Sequence, residues 1–426
     1  MRKVLIITYY WPPAGGPGVQ RWLKFVTYLR DFNIDPVVYI PENPDYPLVD
    51  LSLCNEVPEG ITIYKQPIWE PNKIAGFFFK QKTKRISSGV IHTKNQSVLE
   101  RILLWIRGNL FIPDARKFWV KPSVKVLSKI IETEGIDTII TTGPPHSLHL
   151  IGYQLRKKHQ LQWLADFRDP WTSIGYHKKL KLTKASKKKH KCLERLVLQQ
   201  ADKVIVTSTG TQREFAQIRK NSIKVITNGF DRAFSGIRSL DTFFSIVHIG
   251  SLLTGRNPTK LWAVLQELLM ENADFKNSFK LRLVGVVSYD VLDAIYSYGL
   301  EQNLELVGYL SHAEAVACQK SAQILLLIEI DSEETKCIIP GKLFEYMAAQ
   351  RPILAIGPKG WDAGTIINDT HTGFVFEYKE KEHLKSQILT WFSLYQKKQL
   401  RVNSKGIEAY SRSALTGKLA EYIAWE

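Results

Sequence analysis

Three loops in this 426-residue chain carry residue types that could hold an anion such as a phosphate. The most informative lies in Cys337-Ile338-Ile339-Pro340-Gly341-Lys342-Leu343-Phe344-Glu345-Tyr346-Met347-Ala348-Ala349-Gln350-Arg351-Pro352. Pro340-Gly341 opens a helical pattern, and Lys342 and Glu345 fall three apart, on neighbouring positions of one helix face. A lysine in the first turn is disfavoured by the positive end of the helix dipole, which points to an anion beside it. An exposed ion pair with Glu345 is the competing account. The second loop, His248-Ile249-Gly250-Ser251-Leu252-Leu253-Thr254-Gly255-Arg256-Asn257, sets Arg256 where a guanidinium could fork onto phosphate oxygens. The third, Trp11-Pro12-Pro13-Ala14-Gly15-Gly16-Pro17-Gly18, combines glycines that admit a ligand to the backbone with a helix start that offers N–H groups. It lacks the GxGxxG spacing, which disfavours a dinucleotide site.

The elements that must position these loops alternate. Val4–Thr8, Pro36–Ile40, Thr138–Thr142, Trp163–Asp166 and Lys203–Thr207 read as strands, with helical patterns after them such as Val19–Leu29. The series restarts after Asn228-Gly229-Phe230-Asp231 with Phe244–Ile249, Lys280–Val286, Glu305–Val307, Ala322–Leu327, Pro352–Ile356 and Gly373–Phe376. Apolar strands separated by helices predict parallel sheets covered on both faces, in two successive α/β units. Such sheets bind ligands at the carboxyl ends of their strands, where all three loops fall. Ser413–Trp425 has helical periodicity and is expected to close back over the first unit.

Composition narrows the classes. The formal net charge is +17, and residues 1–200 hold 32 basic against 16 acidic side chains. The excess thus belongs almost wholly to the first half, which points to an anionic partner there, nucleic acid or a membrane surface. Cys54, Cys192, Cys318 and Cys337 show no paired spacing, which disfavours a zinc site or disulfide scaffold and fits a reducing, cytoplasmic setting. Val4–Thr8 is too short for a signal-peptide core, and no run of about 18 uncharged apolar residues appears.

Tyr9-Tyr10-Trp11-Pro12-Pro13 with Gly15-Gly16, Asn228-Gly229-Phe230-Asp231, His248-Ile249-Gly250 and the Pro340–Ala355 stretch follow one another in a familiar order. With Gly143-Pro144-Pro145-His146-Ser147 and Asp166-Phe167-Arg168-Asp169-Pro170-Trp171, they give the chain a resemblance to bacterial glycosyltransferase family 4 over nearly its whole length. The resemblance implies the GT-B α/β architecture, two Rossmann-like domains with parallel sheets facing across a cleft. Their expected spans are 1–235 and 236–405, with a helix in 406–426 packing back on the first. It also implies a retaining, metal-independent transfer of a hexosyl group from a UDP- or GDP-sugar to a glycan or lipid-linked acceptor in cell-surface polysaccharide synthesis. No cofactor or metal is expected.

Residue by residue, the resemblance places Glu345 on the donor ribose, Arg256 and Lys342 at the diphosphate, and Gly15, Gly16 and Gly250 in loops that approach it. His146 is expected to contact the acceptor or the transferring sugar. Asp169 is similarly placed, although a capping or loop-stabilising role fits it equally. Two departures stand out. The family's paired glutamates would put the first at Cys337, and the arginine of its phosphate motif is Ser251 here. Ile338 and Ile339 are then expected to offer backbone N–H groups, and Glu333 or Glu334 to replace the missing carboxylate.

From Lys178 to Lys191 there are eight lysines and no acid. Taken with Lys80, Lys82, Lys84, Arg85 and the apolar stretch Val98–Leu110, Lys187, Lys188 and Lys189 read as an interfacial site for an anionic membrane. The expected location is therefore the inner face of the cytoplasmic membrane. A nucleic-acid-binding protein would share the charge but not the phosphate loops. The other rivals are a GT-B-type sugar-nucleotide epimerase and a non-catalytic member of the fold.

Overall fold

The computed structural model describes residues 1–71, 98–178, 180–231 and 239–424. Lys80, Lys82, Lys84, Arg85 and Lys179 lie outside the described residues. The chain divides into two compact units, Met1–Asn228 with Arg412–Glu426, and Gly229–Ser411.

The first unit is built on β1 (Arg2–Ile7), β2 (Ile34–Pro41), β3 (Thr62–Gln66), β4 (Thr138–Gly143), β5 (Gln162–Phe167), β6 (Lys203–Val206) and β7 (Ile223–Val225). All pairings are parallel, in the order β3-β2-β1-β4-β5-β6-β7. The second carries β8 (Phe244–Ile249), β9 (Phe279–Val284), β10 (Leu304–Gly308), β11 (Ile324–Ile328), β12 (Ile353–Gly357) and β13 (Gly373–Glu377), parallel in the order β10-β9-β8-β11-β12-β13. This is the α/β pattern of two Rossmann-like units. In each sheet the first strand is central and the winding reverses beside it, between β1 and β4 and between β8 and β11. Those reversal points are where such sheets open a ligand crevice.

The inner strands β4, β8, β11 and β12 are buried along their whole length, which is why they read as unbroken apolar runs. Side chains alternate across each sheet. Val4 and Ile6 pack with Trp22, Val26 and Leu29 of the helix Pro17–Leu29, and Leu5 and Ile7 pack on the other face with Leu127, Ile131 and Leu155. Two edge strands, β3 and β7, were not anticipated. Both are half exposed and lack a continuous apolar run.

The helix Arg412–Ala424 buries Leu415, Leu419 and Ile423 against the layer that holds the helix Pro17–Leu29. Arg412 donates to Gln20 Oε1 at 2.7 Å, and the buried Lys203 Nζ donates to the Tyr422 carbonyl at 2.8 Å. A lysine on the last carbonyls of a helix suits the negative end of its dipole. No described helix is long and apolar enough to cross a membrane.

Candidate functional site

In the second unit the site is assembled at the reversal point. β8 ends at Ile249, whose N–H donates to Tyr346 Oη at 3.0 Å. The chain then turns through Gly250 with φ +110°, and the neighbouring turn after β9 uses Gly285 with φ +107°. Both backbone angles require glycine, and at Gly285 space requires it as well. A Cβ on Gly285 would lie 2.9 Å from the Gly250 carbonyl, and one on Gly250 would lie 2.8 Å from Lys342 Nζ.

Lys342 opens the helix Lys342–Ala349, which is pinned by buried Leu343, Phe344, Tyr346 and Met347. Its ammonium lies over Gly250 and 3.5 Å from His248 Nε2. Burial, then the positive charge of Arg256, push the Lys342 ammonium down to about 8. Arg256 Nη2 donates to Glu329 Oε1 at 2.9 Å. Glu329 is the first residue after β11, is 1% exposed, and also receives the Ile330 N–H at 2.8 Å. Glu345 accepts from Gln319 Nε2 at 2.9 Å and still faces Lys342 electrostatically. The exposed Lys342–Glu345 ion pair considered from the sequence is therefore not what forms. The two side chains diverge to different partners.

The structure thus brings Arg256, Lys342, Glu345 and Gly250 together, and adds two residues to which sequence reasoning gave no role, Glu329 and His248. Glu329 left a readable signal, an acid directly after five aliphatic residues at a strand end. The expectation for Ile338 is corrected. Its N–H donates to the Thr335 carbonyl at 3.0 Å and its carbonyl accepts from Trp361 Nε1 at 2.7 Å, so both groups are engaged within the chain. Ile339 is half buried against the core that holds Leu343 and Phe344. Glu333 points to solvent and pairs with Lys336.

In the first unit the loop after β1 is stitched down. Gly15 N–H donates to the Leu48 carbonyl at 3.0 Å and Asp50 N–H to the Pro13 carbonyl at 2.8 Å. The Gly15 amide is thus taken, contrary to its expected role toward a ligand. Gly16 adopts φ +104° and caps the helix Pro17–Leu29. That helix is fixed through Asp166 at the end of β5. The buried carboxylate accepts from Arg21 Nη2 at 3.0 Å, Trp22 Nε1 at 2.8 Å and Thr142 Oγ1 at 2.8 Å. Arg168 donates to the Gly143 and Pro144 carbonyls and lies 5.6 Å from the Tyr10 ring, filling the space that a side chain at Gly18 would need. Asp169 is half buried. Burial pushes its carboxyl up, while Arg168 pulls it back.

His146 is not open to a substrate. It is 4% exposed and stacks on Trp171 with ring centres 4.7 Å apart and planes 2° off parallel. Neither ring nitrogen has a hydrogen-bond partner among the described residues. It belongs to a buried group with His149, His177 and His190. His149 Nδ1 lies 2.9 Å from Thr141 Oγ1, Trp171 Nε1 donates to His190 Nδ1 at 3.2 Å, and the His177 and His190 rings are 4.5 Å apart. Burial pushes His149 down to about 3 and His177 to about 4, and lowers His146 and His190 as well. These rings are neutral near pH 7, so His146 cannot carry a proton as an imidazolium there. Among the described residues no group of three or more His, Cys, Asp or Glu is arranged to hold a metal ion.

The lysines sit on the helix Lys184–Gln200. It buries Ser186, His190, Glu194, Val197 and Leu198 and exposes Lys187, Lys188 and Lys189. Asn109 Oδ1 accepts the Thr183 N–H at 2.8 Å, tying this helix to the helix Val98–Asn109. The latter shows solvent an apolar stripe of Val98, Ile102 and Trp105, continued by Leu110. Lys117 lies over the rings of Phe111 and Phe118 and is close enough to Lys189 to be repelled by it.

Comparisons with known proteins agree with this geometry. Residues 89–234 match the family model described as Glycosyltransferase Family 4, and residues 244–393 match that described as Glycosyl transferases group 1. No curated protein matches the chain in sequence. Similar solved structures include Anabaena Alr3699/HepE in complex with UDP-glucose, at TM-score 0.58 and 14% identity, covering 100% of both chains. A variant of S. aureus TarM in complex with fondaparinux, α-GlcNAc-glycerol and UDP gives TM-score 0.58 and 13% identity, again over 100% of both. A Listeria monocytogenes putative UDP-N-acetylglucosamine 2-epimerase gives 0.55 and 11%, over 99% of this chain and 95% of that one. The two family models take in more than two thirds of the sequence, one in each unit, and the chain belongs to glycosyltransferase family 4, with the GT-B fold.

Proposed function

We propose that this glycosyltransferase takes a sugar from a UDP- or GDP-sugar and transfers it, with retention and without a metal, to a glycan or lipid-linked acceptor at an anionic membrane surface. The observation that carries the donor assignment is the half-buried Lys342 ammonium held beside Arg256. Two cations that repel each other at the end of a buried strand are costly, and a diphosphate would relieve that cost.

In this reading Lys342 and Arg256 take up the negative charge that develops on the leaving diphosphate, the role a preorganised cation pair fills best. Glu345 accepts from the ribose hydroxyls, and Gly250 lets the phosphates reach the backbone. The UDP and UDP-glucose found in two of the similar structures support a nucleotide-sugar donor. Gly16, at the helix start in the first unit, remains the proposed second approach to the donor. Asp169 is a proposed acceptor contact. His146 shapes the surrounding loop as a neutral ring. The exposed Lys187, Lys188 and Lys189, on a helix tied through Thr183 to the one that carries Ile102 and Trp105, support membrane docking through the first unit.

The deciding experiment measures binding of UDP and GDP by calorimetry and transfer from their sugar conjugates. Lys342→Ala and Arg256→Ala are each expected to lower turnover about 100- to 1,000-fold with unchanged melting. Near-normal transfer by either variant would remove it from the site. Formation of an epimeric sugar nucleotide without any acceptor would instead favour the epimerase reading.

A further inference from the structure

The geometry assigns His248 as a positioning residue for Lys342: its Nε2 accepts a hydrogen bond from Lys342 Nζ and so holds the ammonium over Gly250. This rests on the donor reading above, in which that ammonium meets the diphosphate.

Three observations carry the assignment. First, His248 is fully buried at the penultimate position of β8, and its Nδ1 lies 3.0 Å from the Leu326 carbonyl on the adjacent β11. A carbonyl oxygen can only accept, so Nδ1 carries the proton and Nε2 presents a lone pair. Second, that lone pair faces Lys342 Nζ at 3.5 Å, a donor with no acceptor capacity. Third, Gly250 puts bare backbone beneath the ammonium, at a φ of +110° that disfavours any side chain, and a Cβ there would lie 2.8 Å from Nζ. The lysine is therefore bracketed by a ring on one side and bare backbone on the other.

The charges around the pair bear on whether the ring is neutral. Lys342 is faced by Arg256 and Glu329 from the loops after β8 and β11, and by Glu345 from its own helix. His248 is faced by Lys342, Arg256 and the Leu326 and Ser251 backbones. Burial and the two cations keep the ring neutral, and only a neutral ring can accept. Accepting stabilises the charged form of the lysine, which is the form an anion requires.

The test separates acceptor from packing. His248→Asn keeps a donor toward the Leu326 carbonyl and removes the Nε2 acceptor, whereas His248→Gln carries an amide oxygen to the Nε2 position. Trace acetylation of Lys342 across pH, read by mass spectrometry, reports its protonation without any ligand. The midpoint is expected to fall by about one pH unit in His248→Asn and to recover in His248→Gln. UDP and GDP binding at about pH 7.5 should weaken roughly threefold in His248→Asn, with recovery in His248→Gln. An unchanged midpoint in a folded His248→Asn protein overturns the assignment. If the midpoint shifts but the unaltered protein binds neither nucleotide, His248 still positions Lys342 and the donor reading fails instead.

Discussion

At the carboxyl end of β8 the second unit holds Lys342 and Arg256 near one buried carboxylate, Glu329, with Lys342 unclaimed by any ion pair among the described residues. At the ends of β4 and β5 the first unit does the reverse. Asp166 is saturated by Arg21, Trp22 and Thr142, and four histidines are sealed behind Trp171. The sheets share one winding, but the second unit leaves Lys342 without an ion pair among the described residues. The first spends its strand-end charge inside the fold and shows cations on the helix Lys184–Gln200 instead. A common topology therefore fixes where a crevice lies, while the partners of the strand-end side chains decide whether it is electrostatically vacant.

Acid should break this comparison most visibly. The buried histidines titrate below their unfolded value of about 6.5, so the unfolded state binds more protons once pH drops below that value. Their stabilising contribution is complete above that pH and is lost as pH falls. His177, pushed to about 4, accounts alone for about 3 kcal/mol by that pH. Three more rings share its burial, against one buried histidine, His248, among the described residues of the second unit. Peptide-resolved hydrogen exchange from pH 7 to 4.5 should show β4 and β5 losing protection before β8 and β11. Simultaneous loss would mean the histidines do not set the difference.

The next effect is confined to the first unit. Asp166→Ala strips the partner from the buried Arg21 and should destabilise that unit by about 3–5 kcal/mol. Urea unfolding followed through exchange in each unit reads this directly, and the second unit should keep its midpoint. A shift of equal size in both would show that the two units unfold as one.

How much of this was legible in advance depended on how far apart the partners lie in sequence. The central strands announced themselves because burial on both faces demands unbroken aliphatic runs, and the loops after them followed. β3 and β7 did not, since half-exposed edge strands carry no such run. Lys342 and Arg256 were readable as cations at strand ends. Glu329 was overlooked although its position carried the same signal with the opposite sign. The burial of His146 is not legible locally, because its environment comes from Trp171 and, through it, from His190 on a different helix. Nothing local to Gly-Pro-Pro-His-Ser encodes that stack. Asp166 likewise finds its cation at Arg21, 145 residues away.

A smaller effect tests the surface side of the comparison. Neutralising Lys187, Lys188 and Lys189 to Gln leaves the buried face of their helix untouched, so the fold should be unchanged. Each lysine near an anionic surface is worth about 1 kcal/mol, so binding to phosphatidylserine-containing vesicles should weaken on the order of a hundredfold. Equal binding of the unaltered protein to neutral and anionic vesicles would detach the charge asymmetry from any membrane.

The smallest expected effect is the sharpest probe of the second unit's vacancy. Glu329 does two things at once: it orients Arg256 and, as a nearby negative charge, it supports the protonated form of Lys342. Glu329→Gln keeps an oxygen for the guanidinium and removes the charge. If Arg256 needs only an acceptor, orientation survives and the one remaining change is electrostatic. Lys342 then titrates lower still, and the alkaline limb of nucleotide binding should move down by less than one pH unit, about 1 kcal/mol or less. Affinity well below that limb should hold or rise, because one competing negative charge is gone from beside the anion. A uniform loss of affinity at every pH would instead mean that Glu329 works by geometry, with the charge of the carboxylate essential to the placing of Arg256.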